Sequence, residues 1–391
     1  MKIIKYYHFG RILLLAFAFS LQSCGPSLPA LEEDPGQTEE PNMPEDLAPE
    51  ITSGLSSEAV KLLTYIKGIS GKQILSGCMA NVNWNINEAL WIFRHTGKYP
   101  AINCFDYIHL PFSPSSWIDY SNTQIVEDWW NKGGIVAAMW HWNLPANDQA
   151  GYTTAPGLEL DDKHTAFDLR KIDDVNSKEY KQLVADIDKV AGYLKLLCDK
   201  HIPVLWRPLH EAGGNYSRPE WGTPHWSNEV GLAWFWWGYY GPEYFKKLWQ
   251  LMFYRFTTIH KLNNLIWVWT FEPVNTEAWF PGEEYVHITG SDVYNVGDTK
   301  SLQQLYQSQV AAFPELPSAL SECGSVAEIS AQWEQGAKWT YFMTWYDYAR
   351  TNSITAPGFA STTHEHASAE WWEKVFECDF VLSRDEVPSL K

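Results

Sequence analysis

One repeating pattern constrains the fold of this chain more than any other feature. From about residue 58, a short apolar run rich in β-formers is followed by a longer helical pattern, and this unit recurs eight times. The runs are continuous rather than alternating, as in strands covered on both faces. The predicted strands are 73–79, 99–107, 134–142, 202–210, 265–272, 286–294, 317–322 and 339–347. The pattern predicts an α/β fold, a (β/α)8 TIM barrel in one domain with long βα loops.

The segments between the runs have the apolar stripe of amphipathic helices. Segments 177–200 and 242–262 show it most clearly, the first through Leu183, Ile187, Val190, Leu194 and Leu197, the second through Phe245, Leu248, Trp249, Met252 and Phe256. A doubly wound open sheet is the alternative fold. Its GxGxxG phosphate-binding signature does not follow the first predicted strand, so the barrel is favoured.

Residues 1–23 have the features of a signal peptide. Lys2, Lys5 and Arg11 precede the apolar run ILLLAFAFSL, which is too short to span a bilayer comfortably. The following LQSC resembles the bacterial lipoprotein signal, in which cleavage leaves the cysteine, here Cys24, for lipid attachment. An ordinary signal peptide with an incidental cysteine is the alternative.

Residues 24–57 are predicted to form an acidic, proline-containing tether before a catalytic domain at 58–391. No Lys or Arg lies between Arg11 and Lys61, and such a segment cannot bury a core. We therefore expect a monomer anchored to the outer membrane of a Gram-negative bacterium by its lipid only, facing the cell surface. A periplasmic orientation remains open.

Charge and aromatic content limit the class of ligand. The net charge of −18 argues against nucleic acid, which is bound through Lys and Arg. Trp occurs 22 times, and several Trp residues lie beside polar, Gly or Pro positions, as in a cleft that stacks on sugar rings. These are Trp84, Trp117, Trp142, Trp221, Trp226, Trp234 and Trp279.

Polar residues cluster where the predicted strands end, and the carboxyl ends of barrel strands carry the chemistry in this fold. They are Asn81, Asp106, His141, Arg207, His210, Glu211, Glu272, Asp292, Tyr294, Glu322, Trp345 and Asp347. Any one of them could be a cap or an Asx turn. Glu211 and Glu322, after the fourth and seventh strands, form the kind of carboxylate pair that glycoside cleavage requires. A separation of about 5–5.5 Å would predict retention of anomeric configuration.

Several segments together resemble glycoside hydrolase family 26. They are WRPLHE followed by WFWWG, the SE that ends the seventh strand, GGIVAAMWHWN, GSDVY and WTYFMTWYD, and the likeness covers most of the chain after residue 60. The family consists mainly of β-mannanases in the clan of retaining (β/α)8 glycosidases. The resemblance implies a retaining β-1,4-mannanase that needs no cofactor or metal. It would act on internal or chain-end, mannobiose-releasing bonds of β-mannan or manno-oligosaccharides.

The resemblance also assigns roles to individual residues. Glu211 would be the general acid/base and Glu322 the nucleophile. The expected substrate-binding residues are His141, Arg207, His210, Trp234, Trp237, Tyr294 and Trp345. Tyr294 would donate a hydrogen bond to Glu322, and Trp234 and Trp237 would line the cleft. Arg207 precedes Glu211 by four residues, which places both side chains on one side of an extended strand. Its positive charge suits an ionised Glu322 better than an acid that must stay protonated.

Other functions stay open at this point. Activity on β-glucan or xylan is the nearest alternative, and a non-catalytic surface glycan-binding lipoprotein is another. A metal hydrolase would use His141, His210, Glu211, His364 and His366. An insertion at 212–233 is expected to cover one end of the cleft, which leaves endo and exo action open. The five cysteines after Cys24 fit no metal-binding spacing, and the sequence selects no disulfide among them.

Overall fold

The computed structural model of the chain describes residues 54–214, 233–271 and 276–391. Within these ranges, eight parallel strands close into a barrel in chain order. They are β1 Gly77–Met79, β2 Ile102–Asp106, β3 Ile135–Trp140, β4 Val204–Pro208, β5 Leu265–Phe271, β6 Ile288–Tyr294, β7 Ser318–Gly324 and β8 Phe342–Thr344. Seven of the predicted segments contain one of these strands each, and the segment 317–322 overlaps β7, which extends two residues further to Gly324. The predicted TIM barrel is confirmed.

Helices surround the barrel. They are α1 Ser57–Ile69, α2 Asn87–Thr96, α3 Gln124–Asn131, α4 Lys178–Cys198, α5 Trp236–Tyr239, α6 Pro242–Tyr254, α7 Thr276–Trp279, α8 Thr299–Ala312, α9 Ile329–Gln335 and α10 Ala369–Phe376. Two short strand pairs lie outside the barrel, Ile74–Leu75 with Val381–Leu382 and Leu144–Pro145 with Tyr152–Thr153. Across the described ranges, no helix combines the length and apolar character needed to cross a membrane.

Helix α4 forms as its sequence predicts. The Ser177 side chain accepts a hydrogen bond from the Tyr180 backbone N–H at the helix start, and the predicted apolar stripe is buried. The helix predicted at 242–262 instead ends at Tyr254 and continues as a π-helical turn, Arg255–Ile259. In this turn Arg255 donates two hydrogen bonds to Asp188 of α4, a contact between helices that periodicity along one helix cannot encode.

Tryptophan fills much of the core. Among the described residues, twelve Trp side chains are less than 2% exposed. The expectation that the Trp residues near polar, Gly or Pro positions line a cleft is therefore wrong for Trp142 and Trp279, which are buried in the core. Trp117 and Trp234 are exposed, and Trp84 is half-buried against Phe105. Trp221 and Trp226 lie outside the described residues.

The N-terminal predictions are not tested by the structure. The signal peptide, Cys24 and the tether up to residue 53 lie outside the described residues. Helix α1 begins at Ser57, next to the predicted start of the catalytic domain at 58. Cys78, Cys104, Cys198, Cys323 and Cys378 are all free thiols.

Candidate active site

Glu211 lies on a turn and not on a strand. Strand β4 ends at Pro208, and Leu209 and Glu211 both have left-handed backbone conformations, with φ of 51° and 52°. Strand alternation therefore does not relate Arg207 to Glu211, because the chain leaves the extended conformation between them. Both side chains nevertheless lie close to Glu322, as the sequence analysis expected of residues on one side. The left-handed backbone costs about 1–3 kcal/mol per residue, so surrounding contacts must stabilise it.

Two glycines allow neighbouring segments to pack closely against this turn and so stabilise it. A Cβ on Gly238 of α5 would lie 1.8 Å from the Ala212 carbonyl oxygen, and one on Gly214 would lie 2.3 Å from the Trp234 ring. Neither position can accept a side chain without moving its neighbour. The glycines of the two motifs, HEAGG and WFWWG, thus let α5 and Trp234 pack directly against the residues that follow Glu211.

Glu322 is held in one orientation at the inner face of β7. The Tyr294 hydroxyl donates a hydrogen bond to its Oε1 at 2.5 Å, and Arg207 Nη2 donates to its Oε2. Both contacts were predicted from the sequence. The carboxylate is buried, so these donors replace the water that would otherwise solvate it.

Arg207 also binds a second carboxylate, that of Asp292, which is one of the polar residues at the predicted strand ends but received no role from the sequence. Its Nη1 lies 2.7 Å from Asp292 Oδ2, and the Ser321 hydroxyl donates to Asp292 Oδ1 at 2.8 Å. Burial raises the pKa of Asp292 to about 7, with Arg207 opposing the shift and Glu322 adding to it. Asp292 lies two residues before Tyr294 on β6, so both side chains face the barrel interior. This spacing of two residues was the feature of the sequence that could have placed Asp292 beside Tyr294 in the site.

The three carboxylates converge. One carboxylate oxygen from each of Glu211, Asp292 and Glu322 lies within 4.8 Å of the other two. Such a group could in principle hold a cation, but Arg207 already occupies the sides of Asp292 and Glu322 that face it. A separation this short between Glu211 and Glu322 is that of a carboxylate pair acting on one bond.

His141 and His210 form a wall beside the carboxylates. Asp106, at the end of β2, lies 2.6 Å from His141 Nδ1 and accepts the His141 backbone N–H at 3.1 Å, which sets the ring orientation. The His210 ring lies 4.6 Å from the His141 ring. Burial lowers the pKa of His210 well below its usual value, and the charges of Arg207 and His141 act in the same direction. His210 is therefore neutral at neutral pH.

The aromatic residues predicted to bind substrate occupy three different environments. Trp345 lies 5.8 Å from the His141 ring and donates its indole N–H to the Tyr348 hydroxyl at 2.7 Å. Trp234 is exposed. Trp237 is fully buried and cannot line the cleft as predicted; its indole N–H donates to the His210 carbonyl oxygen at 2.9 Å. Trp237 thus holds the turn that carries His210 and Glu211 from the core side.

Phe235 contacts both His141 and His210. Its ring stacks on Trp237 at 4.3 Å and contacts the rings of His141 and His210 at 5.9 and 4.9 Å. The sequence places four aromatic residues in a row at 234–237 but does not show which of them face the site. That assignment depends on the turn that leads into α5.

The alternative of a metal hydrolase, in which His364 would be a ligand, is contradicted at this residue. Its Nε2 pairs with Glu88 at 3.1 Å, and its Nδ1 accepts the backbone N–H groups of His366 and Ala367 at 2.9 and 3.1 Å. Both ring nitrogens of His364 therefore have protein partners, and neither is left to bind a metal. Among the described residues, the one group with metal-binding geometry contains carboxylates and no histidine.

The family model of glycosyl hydrolase family 26 matches residues 51–385. The chain belongs to this family. It is 32% identical to a mannan endo-1,4-beta-mannosidase of Thermothelomyces thermophilus, over 85% of this chain and 61% of that protein. It is 31% identical to mannan endo-1,4-beta-mannosidase A of a Piromyces species, over 85% of this chain and 49% of that protein. The chain thus spans about half to three-fifths of the length of these relatives.

Solved family 26 structures share the fold. The GH26 domain of the Prevotella bryantii endo-beta-mannanase/endo-beta-glucanase PbGH26-GH5A is 34% identical, with a TM-score of 0.75, covering 88% of this chain and 100% of that one. A beta-mannanase from a symbiotic protist of the termite Reticulitermes speratus, complexed with gluco-manno-oligosaccharide, is 30% identical, with a TM-score of 0.69, covering 88% and 98%.

The insertion that follows Glu211 in this family 26 chain falls largely outside the described residues, which omit 215–232. Its two ends meet, because the Trp234 backbone N–H donates to the Gly214 carbonyl oxygen at 3.1 Å. The expected cover over one end of the cleft stays a prediction. Glu272, at the end of the fifth predicted strand, also lies outside the described residues.

Proposed function

We propose that this chain is a retaining endo-β-1,4-mannanase that hydrolyses β-mannan or manno-oligosaccharides by double displacement. One observation carries the proposal. The Glu322 carboxylate is fixed by Tyr294 and Arg207, and one of its oxygens lies within 4.8 Å of a Glu211 oxygen. The names of the similar mannan endo-1,4-beta-mannosidases support the substrate and the endo action.

The first chemical step uses both carboxylates. Glu322 attacks the anomeric carbon while Glu211 gives its proton to the glycosidic oxygen, so the bond to the leaving chain breaks as the glycosyl–Glu322 ester forms. In the second step Glu211 takes a proton from water, the water oxygen attacks the anomeric carbon, and Glu322 leaves. Two inversions retain the configuration at that carbon.

The neighbouring residues serve these steps. Arg207 and Tyr294 hold the nucleophile by the two oxygens, and Asp292 holds Arg207. The neutral His210 and the Asp106-oriented His141 offer polar groups beside the reacting sugar. Preorganised groups of this kind lower the barrier because they need no rearrangement when charge develops.

The two carboxylates have different roles, so their variants should differ. Glu322→Ala should lose several orders of magnitude of activity on every substrate, because the nucleophile is gone. Glu211→Ala should lose about 10²–10⁴-fold on mannan. An aryl β-mannoside with a good leaving group needs no proton, so its glycosylation step should survive in Glu211→Ala. Azide should then release the intermediate as a β-mannosyl azide. Steady-state kinetics and product analysis measure both.

Glu315→Ala is the matched control. Glu315 is exposed and precedes β7, at the opposite end of the barrel from Glu322, so its loss should leave activity unchanged. A Glu211→Ala variant equally inactive on natural and activated substrates, without azide rescue, would refute the acid/base assignment. Products from mannohexaose, galactomannan and barley β-glucan decide the substrate. Binding of mannan without cleavage of any of the three would favour the non-catalytic glycan-binding alternative.

We also propose that Cys24 carries a lipid that anchors the domain to the outer membrane, facing the cell surface. The apolar run, the LQSC motif and the acidic segment that follows support this location. An exposed mannan-degrading domain on a solvated tether could reach polymers too large to be taken up whole.

A further inference from the structure

A buried group of charged side chains fixes the segment between β8 and α10, residues 345–368, which we call the β8 loop. Glu88 of α2 is 1% exposed and accepts a hydrogen bond from Arg350 Nε at 2.8 Å. Its second carboxylate oxygen lies 3.1 Å from His364 Nε2. The Arg350 guanidinium also lies 4.0 Å from the centroid of the Trp91 ring of α2. One carboxylate of α2 thus holds the β8 loop near both of its ends.

The contacts of His364 define which of its ring nitrogens carries the proton. Nδ1 accepts the backbone N–H groups of His366 and Ala367 at 2.9 and 3.1 Å, so it carries no proton. Nε2 then carries the proton and donates a hydrogen bond to Glu88. His364 therefore connects the buried carboxylate of Glu88 to the backbone of His366.

His366 makes the contact between the β8 loop and the hydrogen-bond donor of Glu322. Its ring packs edge-on against the Tyr294 ring, with 5.5 Å between the ring centroids. Its carbonyl oxygen accepts the Ser325 backbone N–H at 2.7 Å. A Cβ on Gly324 would lie 2.5 Å from His366 Nδ1 and 2.7 Å from the Tyr294 ring, so only a glycine lets the two rings meet at the end of β7. Burial lowers the pKa of His366 to about 4, so the ring is uncharged at neutral pH.

We propose that His366 is a positioning residue for the nucleophile and that Glu88 holds it in place through His364, an inference that rests on the proposed function. The Tyr294 hydroxyl donates to Glu322 at 2.5 Å, and the strength of such a bond depends steeply on its angle. The edge-on contact with His366 restricts rotation of the Tyr294 ring and so keeps its hydroxyl directed at the carboxylate. The orientation of Glu322 thus depends on a carboxylate of α2 that does not touch it.

The first test is a double-mutant cycle between His366→Ala and Tyr294→Phe. We expect His366→Ala to lower kcat on mannohexaose about fivefold, a part of the loss caused by removing the Tyr294 hydrogen bond, with KM unchanged. In Tyr294→Phe the same change should cost less than about twofold, because the hydroxyl that His366 positions is gone. His366→Phe keeps a ring against Tyr294 and should retain most of kcat. His260→Ala, which removes a histidine paired with Asp188 before β5, at the opposite end of the barrel, should leave kcat unchanged.

The second test is Glu88→Gln, which alters the anchor without touching Tyr294. An amide has one acceptor oxygen where the carboxylate has two, so either Arg350 or His364 loses its partner. In protein labelled with ¹³C at tyrosine Cζ, the resonance missing from Tyr294→Phe belongs to Tyr294. We expect this resonance to shift in Glu88→Gln. Glu127→Gln, in which the lost carboxylate is paired with Lys200 outside the β8 loop, should leave it in place.

Three outcomes would overturn the positioning role and leave the proposed function intact. A full fivefold loss from His366→Ala in the Tyr294→Phe background would mean that His366 acts on another group. A raised KM with unchanged kcat would mean that His366 binds the sugar itself. An unchanged Tyr294 resonance in Glu88→Gln would mean that the anchor stabilises the fold alone. If the wild type cleaved no mannan, the proposed function would fail, and the Tyr294 resonance would still decide whether Glu88 positions this tyrosine.

Discussion

At the scale of single residues, the candidate site depends on one buried cation. Arg207 uses different amino groups to bind Glu322 and Asp292, so a single side chain places two carboxylates. A lysine could not do this with fixed geometry, because its ammonium is a point charge on a flexible stem, whereas guanidinium is a planar fork. The third group on this network, Tyr294, offers a cleaner test because its replacement leaves every charge in place.

Tyr294→Phe should lower kcat/KM on mannan about 10–10²-fold, the scale of one hydrogen bond to a charged acceptor. Burial, followed by the charge of Glu322, raises the pKa of Tyr294 well above its usual value. Because the raised pKa keeps the phenol protonated at working pH, Tyr294 donates a hydrogen bond to Glu322 throughout. The alkaline limb of the pH profile of kcat/KM should therefore lie at the same pH in wild type and Tyr294→Phe.

Tyr306→Phe is the control, since Tyr306 lies on α8 and packs against Trp339. It should match the wild type in rate and in profile. An alkaline limb displaced by more than about one pH unit in Tyr294→Phe alone would mean that this tyrosine titrates during catalysis.

At the scale of elements, the junction of β4 and α5 sets the position of the acid/base. The strand ends early, two residues turn through left-handed conformations, and α5 packs back on the turn. Gly238 permits the close approach, and Trp237 binds the His210 carbonyl oxygen. Residues 212–233, 22 in number, separate Glu211 from Trp234 in the sequence, yet the two motifs pack together in the structure.

Gly238→Ala should displace this unit. A Cβ 1.8 Å from the Ala212 carbonyl oxygen requires a backbone shift, which we expect to cost about 1–3 kcal/mol of stability. A shift of the turn that carries Glu211 should reduce kcat on mannan about 10²-fold, because catalysis depends on sub-ångström placement. Thermal unfolding and steady-state kinetics measure the two effects.

Gly192→Ala in α4 is the matched control for Gly238→Ala. A Cβ there meets no atom within 4 Å, so the substitution should stabilise the helix by about 0.5–1 kcal/mol and leave kcat unchanged. If Gly238→Ala behaved like Gly192→Ala, close packing of α5 would not be what positions Glu211.

At the scale of the whole molecule, the charge distribution matches a neutral polymer. The net charge of −18 repels polyanions, and the positive charge of Arg207 in the candidate site is matched by the carboxylates of Asp292 and Glu322 rather than left for an anionic ligand. Binding to mannan would then rest on ring stacking and hydrogen bonds. Such binding is less sensitive to salt than binding to nucleic acid.

Cys24→Ser should abolish lipid attachment. Metabolic labelling with a fatty acid should mark the wild type and not the variant, and the variant should leave the membrane fraction. Cys378→Ser, which changes a thiol of the folded domain, should label like the wild type. Label retained in Cys24→Ser would refute the anchor, and resistance to protease added to intact cells would refute exposure on the surface.

The sequence by itself determined the barrel and the candidate carboxylate pair. Eight apolar runs at regular spacing leave few other folds, because each run must be covered on both faces. Glu211 and Glu322 end the fourth and seventh of those runs, and parallel strands bring their carboxyl ends to one face. The contacts of Arg207 and Tyr294 with Glu322 followed from charge and from the family resemblance.

The tertiary structure alone decided which neighbours act on these groups. Asp106 and Asp292 became site residues because β2 and β6 bring them to His141 and Arg207. Trp237 lies in the core and not in the cleft as predicted, because α5 packs against the turn that carries His210 and Glu211. Local periodicity indicates whether a residue is buried. It does not indicate which residue it packs against, because that partner lies on an element far away in the chain and is brought close only when the barrel closes.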